Sequence, residues 1–318
     1  MQHLSWPQIK DRGKFVSEFG IHSSPELATL KRWMAEPDLT LHSAVFDGHN
    51  KDSSPRKGDD LLAVTTGIPQ TVEDYVLFTQ SVQAEGMLCG IEHYRRRQPH
   101  TSGALVWQFN DVWPGFSWSL VDYDGVPKAA YFASSRAFSP VAASFADRDN
   151  GGLELWLANN GPTSITTDIE IELANFAGGD SHREVIGVEV DPGESKVVWY
   201  AEHIARNADR FAWASSRESV FPPVRKHFAE IHQLELGESS LSVEVLPEAL
   251  RIRSTGYSYM VRIDQPVPGI YLSDNCFDLP DGREQIVAVR GIDPSELTVS
   301  SFAPKTGRSI DMVRAVFS

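Results

Sequence analysis

Cysteine is nearly missing from this 318-residue chain. Cys89 and Cys276 are the only two; they lie far apart, one inside a helical pattern and one inside a strand pattern. A disulfide framework is thereby excluded, and both read as buried thiols. Long apolar runs are missing too: nothing approaches the ~20 residues of a membrane-spanning helix, and Met1-Gln2-His3-Leu4-Ser5-Trp6-Pro7 lacks the basic start and apolar core of a signal peptide. The expectation is a soluble, cytoplasmic chain with no membrane partner. Basic charge is scarce, with 29 Lys and Arg against 43 Asp and Glu, a formal charge of -14, and no basic block longer than Arg95-Arg96-Arg97. That balance argues against nucleic acid and fits neutral substrates. The ten histidines show no zinc spacing, so no metal or other cofactor is expected.

What is present is an ordinary globular composition, 41% hydrophobic and 23% charged, in a chain long enough for two or three domains. The organising stretch is Lys14-Phe15-Val16-Ser17-Glu18-Phe19-Gly20, which reads as a short buried strand broken by Gly20. Glu18 sits at its C-terminal end. An acid in such a run is costly to bury unless paired or held for chemistry. An ion pair with Lys14, Arg12 or a distant arginine is the plainer alternative.

Ser24-Pro25-Glu26 reads as a helix start, with an N-cap, a proline at the first helical position and an acid in the first turn. Leu27, Leu30 and Met34 keep helical spacing, and Pro37 ends it. Periodicity is lost from Leu39 to Ile68, which reads as a long loop. Within it His49 and Lys51 are weak candidates, since lone polar residues in a loop are more often solvated. The longest helical pattern starts at Thr71, with Asp74 where a capping box has Glu or Gln, and runs to about Arg97. Val72, Val76, Val82, Met87, Ile91 and Tyr94 form its apolar stripe; Glu73, Gln80, Gln83 and Glu92 lie off it. Gly103 to Phe109 is a second short strand, leading into Asn110 and Asp111. Strand, helix, loop, helix, strand is the order of two steps of a parallel α/β barrel, where site residues come from the C-terminal ends of strands.

After Pro140 helical periodicity gives way to short alternating segments separated by Asn-Gly, Gly-Gly and Pro-Gly turns: Gly152 to Ala158, Thr167 to Leu173, Val185 to Val190 and Ser195 to Tyr200, closed by Phe228 to Leu236. A second set follows: Leu241 to Val245, Leu250 to Thr255, Tyr259 to Ile263, Gly269 to Leu272, Gln285 to Val289 and Leu297 to Phe302.

Several motifs then agree in order and spacing. Phe15 to Gly20 with Ser23 and Pro25, Val82-Gln83-Ala84-Glu85-Gly86-Met87, Trp107-Gln108-Phe109-Asn110-Asp111-Val112-Trp113-Pro114 with Ser117-Trp118, Asp122-Tyr123-Asp124-Gly125, Pro127-Lys128, Arg136 and Ser273 to Leu279 together resemble the C-terminal part of a glycoside hydrolase family 2 β-mannosidase. The resemblance implies a multidomain α/β plus all-β fold: the C-terminal part of a (β/α)8 catalytic barrel over 1–139, then immunoglobulin-like β-sandwiches over 140–237 and 238–318. It implies a glycosidase that hydrolyses terminal β-D-mannosyl residues with retention, acting on an oligosaccharide or glycoside.

By the same resemblance Glu18 is the catalytic nucleophile. Trp107 is the aromatic floor under the sugar ring, followed by a cis peptide, and Asn110, Asp111 and Trp113 contact substrate. Barrel core for Trp107, and a strand-to-loop corner for the other three, are the structural alternatives. A retaining glycosidase needs a second carboxyl group about 5–5.5 Å from the first. The family carries it in an Asn-Glu pair on an earlier strand, and this chain has no Asn-Glu dipeptide. The general acid/base is therefore expected in a missing N-terminal portion of the same protein, and the chain alone is expected to be inactive. Two other readings stay open: a non-catalytic carbohydrate-binding or assembly module built from the sandwiches, and a family 2 glycosidase of other sugar specificity.

Overall fold

The computed structural model describes residues 10–52, 54, 56, 58–304, 310–314 and 316–317. Strands predominate and helices are few. The first 140 residues supply β1 (Val16–Phe19), α1 (Leu27–Trp33), α2 (Ala44–Gly48), α3 (Asp59–Thr65), α4 (Val72–Arg96), β2 (Ala104–Val106) and α5 (Ala129–Ala137). β1 and β2 pair in parallel, with Val16 opposite Ala104 and Phe19 opposite Val106, so their C-terminal ends fall at the same edge.

The chain divides into two compact units, and α4 and α5 contribute residues to both. The first comprises Met1–Phe19, Gly86–Val106 and Ser134–Glu235. Its strands are β3 (Val141–Asp147), β4 (Leu153–Asn159), β5 (Ile165–Asn175), β6 (Ser181–Val190), β7 (Ser195–Ala201), β8 (Arg210–Ser216) and β9 (Val224–His227). They form two antiparallel sheets, ordered β3-β4-β7 and β6-β5-β8-β9. Period-2 alternation explains the core: Leu153, Leu155 and Leu157 on β4 and Ile169 and Ile171 on β5 are buried together. Each such side chain contributes about 1.5–3 kcal/mol on burial. Within this unit α4 is tied to the end of α5 and the turn before β3, because the Arg95 guanidinium donates to the carbonyls of Ala137 (2.7 Å) and Ser139 (2.5 Å).

The second unit comprises Gly20–Glu85, Trp107–Ala133 and Leu236–Ser318. Its strands are β10 (Ser240–Leu246), β11 (Ala249–Thr255), β12 (Ser258–Ile263), β13 (Tyr271–Leu272), β14 (Phe277–Leu279), β15 (Glu284–Arg290), β16 (Val299–Pro304), β17 (Ile310–Arg314) and β18 (Val316–Phe317). They form two sheets ordered β13-β15-β11-β10-β18 and β14-β12-β16-β17. Val243, Leu250, Ile252, Val261, Val287 and Val299 fill the core, joined by Phe132 of α5. All six residues of β12 are buried, including the polar ones. Arg262 pairs with the Glu26 carboxylate at the start of α1, and Ser81 of α4 donates to the Met260 sulfur at 3.0 Å. This sheet therefore carries packed side chains on both faces.

Several elements differ from the sequence-based expectation. α1 begins at Leu27, two residues late, because Ser24 donates to the Pro25 carbonyl (3.0 Å) and Glu26 is taken up by Arg262. The long loop contains α2 and α3, each too short for periodicity to register. β9 precedes the expected closing strand, and Phe228 to Leu236 is instead loop with a 3-10 turn over Ile231–Gln233. β3, β8, β14, β17, β18 and α5 were not anticipated. Gln80 and Gln83 of α4, off its apolar stripe, are fully buried. Gln83 Nε2 donates to the carbonyls of Ile21 (2.8 Å) and Ser119 (3.0 Å), and its Oε1 accepts from Ser23 Oγ (2.6 Å). These amides replace backbone partners that loops cannot supply themselves. The capping box is real: Asp74 accepts from Thr71 N, and Thr71 Oγ1 accepts from Asp74 N, both at 3.0 Å.

Candidate active site

Glu18 lies on β1 with its side chain exposed, next to exposed Ser17, while Val16 points inward. The burial penalty expected for this carboxylate therefore does not arise; the strand is too short and too open to enclose it. Phe15 and Leu105 are also exposed, at 57% and 54%. Phe19 keeps an edge-on contact with Tyr94 of α4, ring centroids 5.3 Å apart.

Trp107 follows β2 directly and is half exposed, and the Trp107–Gln108 peptide is cis, as the resemblance implied. The segment beyond it is pinned by main-chain bonds to the stretch after Trp118: Gln108 N to Trp118 O (3.2 Å), Leu120 N to Gln108 O (3.0 Å), Val121 N to Phe109 O (2.9 Å) and Asp111 N to Val121 O (3.1 Å). Asn110 is exposed, and its Nδ2 donates to the Asp111 carbonyl at 3.0 Å. Trp113 retains 41% exposure.

Asp111 is different. Its side chain has no exposure, and its carboxylate accepts from Ser117 Oγ (2.6 Å), Ser119 Oγ (2.5 Å) and the Lys51 ammonium. A carboxylate with three donors and no solvent is held as an organiser of its loop. Of the four residues expected to contact substrate, Trp107, Asn110 and Trp113 are exposed and Asp111 is enclosed.

The long loop is brought to this corner by a bridge. Lys51 N donates to Phe116 O (3.0 Å) and Phe116 N to His49 O (2.9 Å). Gly115 permits the approach, since a Cβ there would stand 2.8 Å from the His49 oxygen and 3.2 Å from Lys51 Cε. The His49 ring stacks on Trp33 at 5.9 Å, and its Nδ1 lies 3.1 Å from the Pro114 carbonyl. Lys51 thus gains two partners that its loop position did not advertise.

Two further basic groups, Lys128 and His22, pack against the same segments, Ser117–Trp118 among them. Lys128 is fully buried, donating to the carbonyls of Ser23 (3.2 Å) and Ser117 (3.3 Å). Burial lowers its pKa to about 8, partly offset by the Asp111 and Asp122 charges. The His22 ring meets Trp118 edge-on at 5.9 Å, and its Nε2 is buried without a partner among the described residues. Burial first, and the Lys128 cation second, lower the His22 pKa to about 4. Lys128 stands in the Pro127-Lys128 motif, which assigned it no role, and His22 carries no signal beyond its place after Ile21. No group of three or more His, Cys, Asp or Glu side chains among the described residues is placed to hold a metal ion. No helix among them is long and apolar enough to cross a membrane.

No family model matches the chain. β-Mannosidase B of Aspergillus fumigatus is 27% identical over 319 residues, covering 89% of this chain and 37% of that protein. β-Mannosidase B of Aspergillus niger is 28% identical, with the same coverage. Among solved structures, the β-D-mannosidase of Dictyoglomus thermophilum superposes with a TM-score of 0.84 at 23% identity, over 98% of this chain and 39% of that one. An exo-chitosanase of Amycolatopsis orientalis shares the fold with a TM-score of 0.71 at 17% identity, over 95% and 42%. The chain spans less than two fifths of the length of the curated relatives named here. Over nearly nine tenths of its residues it is similar to β-mannosidases, in keeping with the resemblance to the C-terminal part of such a protein carried by Glu18, Trp107 and the motifs around them.

Proposed function

We propose that this chain is the C-terminal portion of a retaining exo-β-mannosidase and that Glu18 is its nucleophile. The observation that carries the reading is the ordered motif series from Phe15 to Leu279, in a chain whose curated relatives are β-mannosidases over 89% of its length. In this reading the ionised Glu18 carboxylate attacks the anomeric carbon as the aglycone oxygen leaves with a proton from the general acid; water, deprotonated by that same group, then attacks the glycosyl-enzyme ester, releasing the sugar and the free carboxylate. Exposure suits that role, because a nucleophile must be reachable. Trp107 stacks on the C–H face of the pyranose, and Asn110 and Trp113 contribute a hydrogen bond and a second aromatic wall. Asp111 acts behind them, holding the loop that carries both.

The general acid/base lies, in this proposal, outside the 318 residues, in the N-terminal part of the same protein; relatives more than twice as long support that. The barrel, of which β1 and β2 would be late strands, and the division at 139 and 237 into barrel and two immunoglobulin-like sandwiches belong to the same reading. General acid–base help is typically worth 10²–10⁴-fold, so the chain alone should leave ordinary glycosides untouched.

The test is hydrolysis of 4-nitrophenyl β-D-mannoside by the longest reading frame containing this chain, beside the 318-residue chain itself. Turnover by the longer protein only is expected. Preference for another 4-nitrophenyl glycoside would replace mannose by that sugar. No hydrolysis of any glycoside by either would leave the non-catalytic module. Robust turnover by the 318 residues would show that a second carboxyl group lies within them.

A further inference from the structure

The Lys51–Asp111 pair does more than close a loop, because the same ammonium stands 5.0 Å above the ring centroid of Trp113. The lysine side chain is 9% exposed and the aspartate 0%, whereas Trp113 is 41% exposed. One cation therefore joins a buried, fully bonded anion to an aromatic ring that is otherwise open. A largely desolvated ammonium over an indole is worth more than a surface contact, and Asp111 prevents it from swinging away. The arrangement is anchored from both sides. Lys51 is held by its main-chain bond to Phe116, and Asp111 by Ser117 and Ser119.

We propose that Lys51 is a positioning residue that locks the Trp113 indole in one orientation as a preformed stacking wall for a pyranose. This rests on the reading of the chain as a glycosidase fragment and assigns a role to a residue that reading does not use. A ring already fixed loses little freedom when a sugar stacks on it, so the gain appears in binding and not in the chemical step. A purely structural Lys51 would instead alter stability alone.

Two measurements test it on the same variants. K51M by itself would strand the Asp111 charge, so K51M/D111N removes the pair without leaving a buried ion, and K51R keeps both charge and stacking. In the longest reading frame containing the chain, K51M/D111N should raise KM for 4-nitrophenyl β-D-mannoside about two- to tenfold with kcat nearly unchanged, and K51R should restore it. In the 318-residue chain labelled with 5-fluorotryptophan, the ¹⁹F line assigned to Trp113 by W113F should shift or broaden in K51M/D111N and return in K51R. A folded double variant whose Trp113 line is unchanged overturns the proposal. So does an unchanged KM in an active enzyme. If the wild-type frame hydrolyses no glycoside, the glycosidase reading falls, and the pyranose wall with it. The fluorine line then still reports whether Lys51 holds the ring.

Discussion

The main-chain oxygen of Trp107 occupies the space where any side chain on Gly20 would begin. A Cβ built on Gly20 falls far inside van der Waals contact with that oxygen and 3.3 Å from the Trp118 Cβ. The residue two beyond the proposed nucleophile must therefore be glycine for packing reasons, whatever the backbone angles allow. Gly20→Ala forces main chain to move and should cost about 2–3 kcal/mol. Urea unfolding followed by circular dichroism measures it, and an unchanged midpoint would show that the approach of the two segments is not tight.

Glu18 is exposed on its short strand. Glu18→Ala should accordingly leave the melting temperature almost unmoved, within about 0.5 kcal/mol of stability, as for ordinary surface changes. In the longest reading frame containing the chain it should abolish mannoside turnover. Azide should partly restore the rate on a 2,4-dinitrophenyl substrate by occupying the vacated nucleophile's place. Undiminished turnover in the variant would remove Glu18 from the mechanism.

The Glu26–Arg262 pair is buried on both sides, with side-chain exposures of 7% and 10%. Removing one member leaves the other charge in a poor solvent, so Arg262→Met should destabilise the second unit by about 3–5 kcal/mol. Glu26→Gln combined with Arg262→Met should recover most of that loss. Equal stability for the single and double variants would mean that water or protonation already relieves the Glu26 carboxylate that Arg262→Met strands.

His22 links stability to pH. Its folded pKa, about 4, lies below the ordinary 6.5, so the unfolded chain binds the proton more readily. Its contribution is fully present above pH 6.5 and is lost as pH falls toward 4, by an amount on the order of 3 kcal/mol. His22→Gln should flatten the wild-type slope between pH 6.5 and 4 in denaturant titrations. Parallel curves for the two proteins across that window would place the slope elsewhere.

Much of the architecture was readable because period-2 alternation and turn chemistry act locally. β4, β7, β10, β11, β12 and β15 fall within a residue or two of the segments read from alternation. β8 was missed although Phe211 to Ala214 is all buried: a strand enclosed on both faces shows no alternation. α5 was missed for the related reason that its small residues, Ala129, Ala130 and Ala133, carry little periodic contrast. At the site, Trp107, Asn110 and Trp113 were legible as polar and aromatic residues following a strand. Lys51 was legible only as a lone loop lysine, because its partner Asp111 is 60 residues away.

The sequence by itself determined the class of this protein: strand-rich halves after Pro140, two short strands with a long helix between them before it, and a motif series shared with β-mannosidases. These are properties of neighbouring residues and of their order. Tertiary structure alone decided which polar groups are inside. Glu18, expected to be buried, is open, while Asp111, expected to meet substrate, is sealed by Lys51, Ser117 and Ser119. Gln83, off the apolar stripe of its helix, is buried and ties two loop segments together. The reason is physical: burial of a charge or an amide depends on whether distant donors and acceptors arrive to replace water, and no local pattern records that arrival.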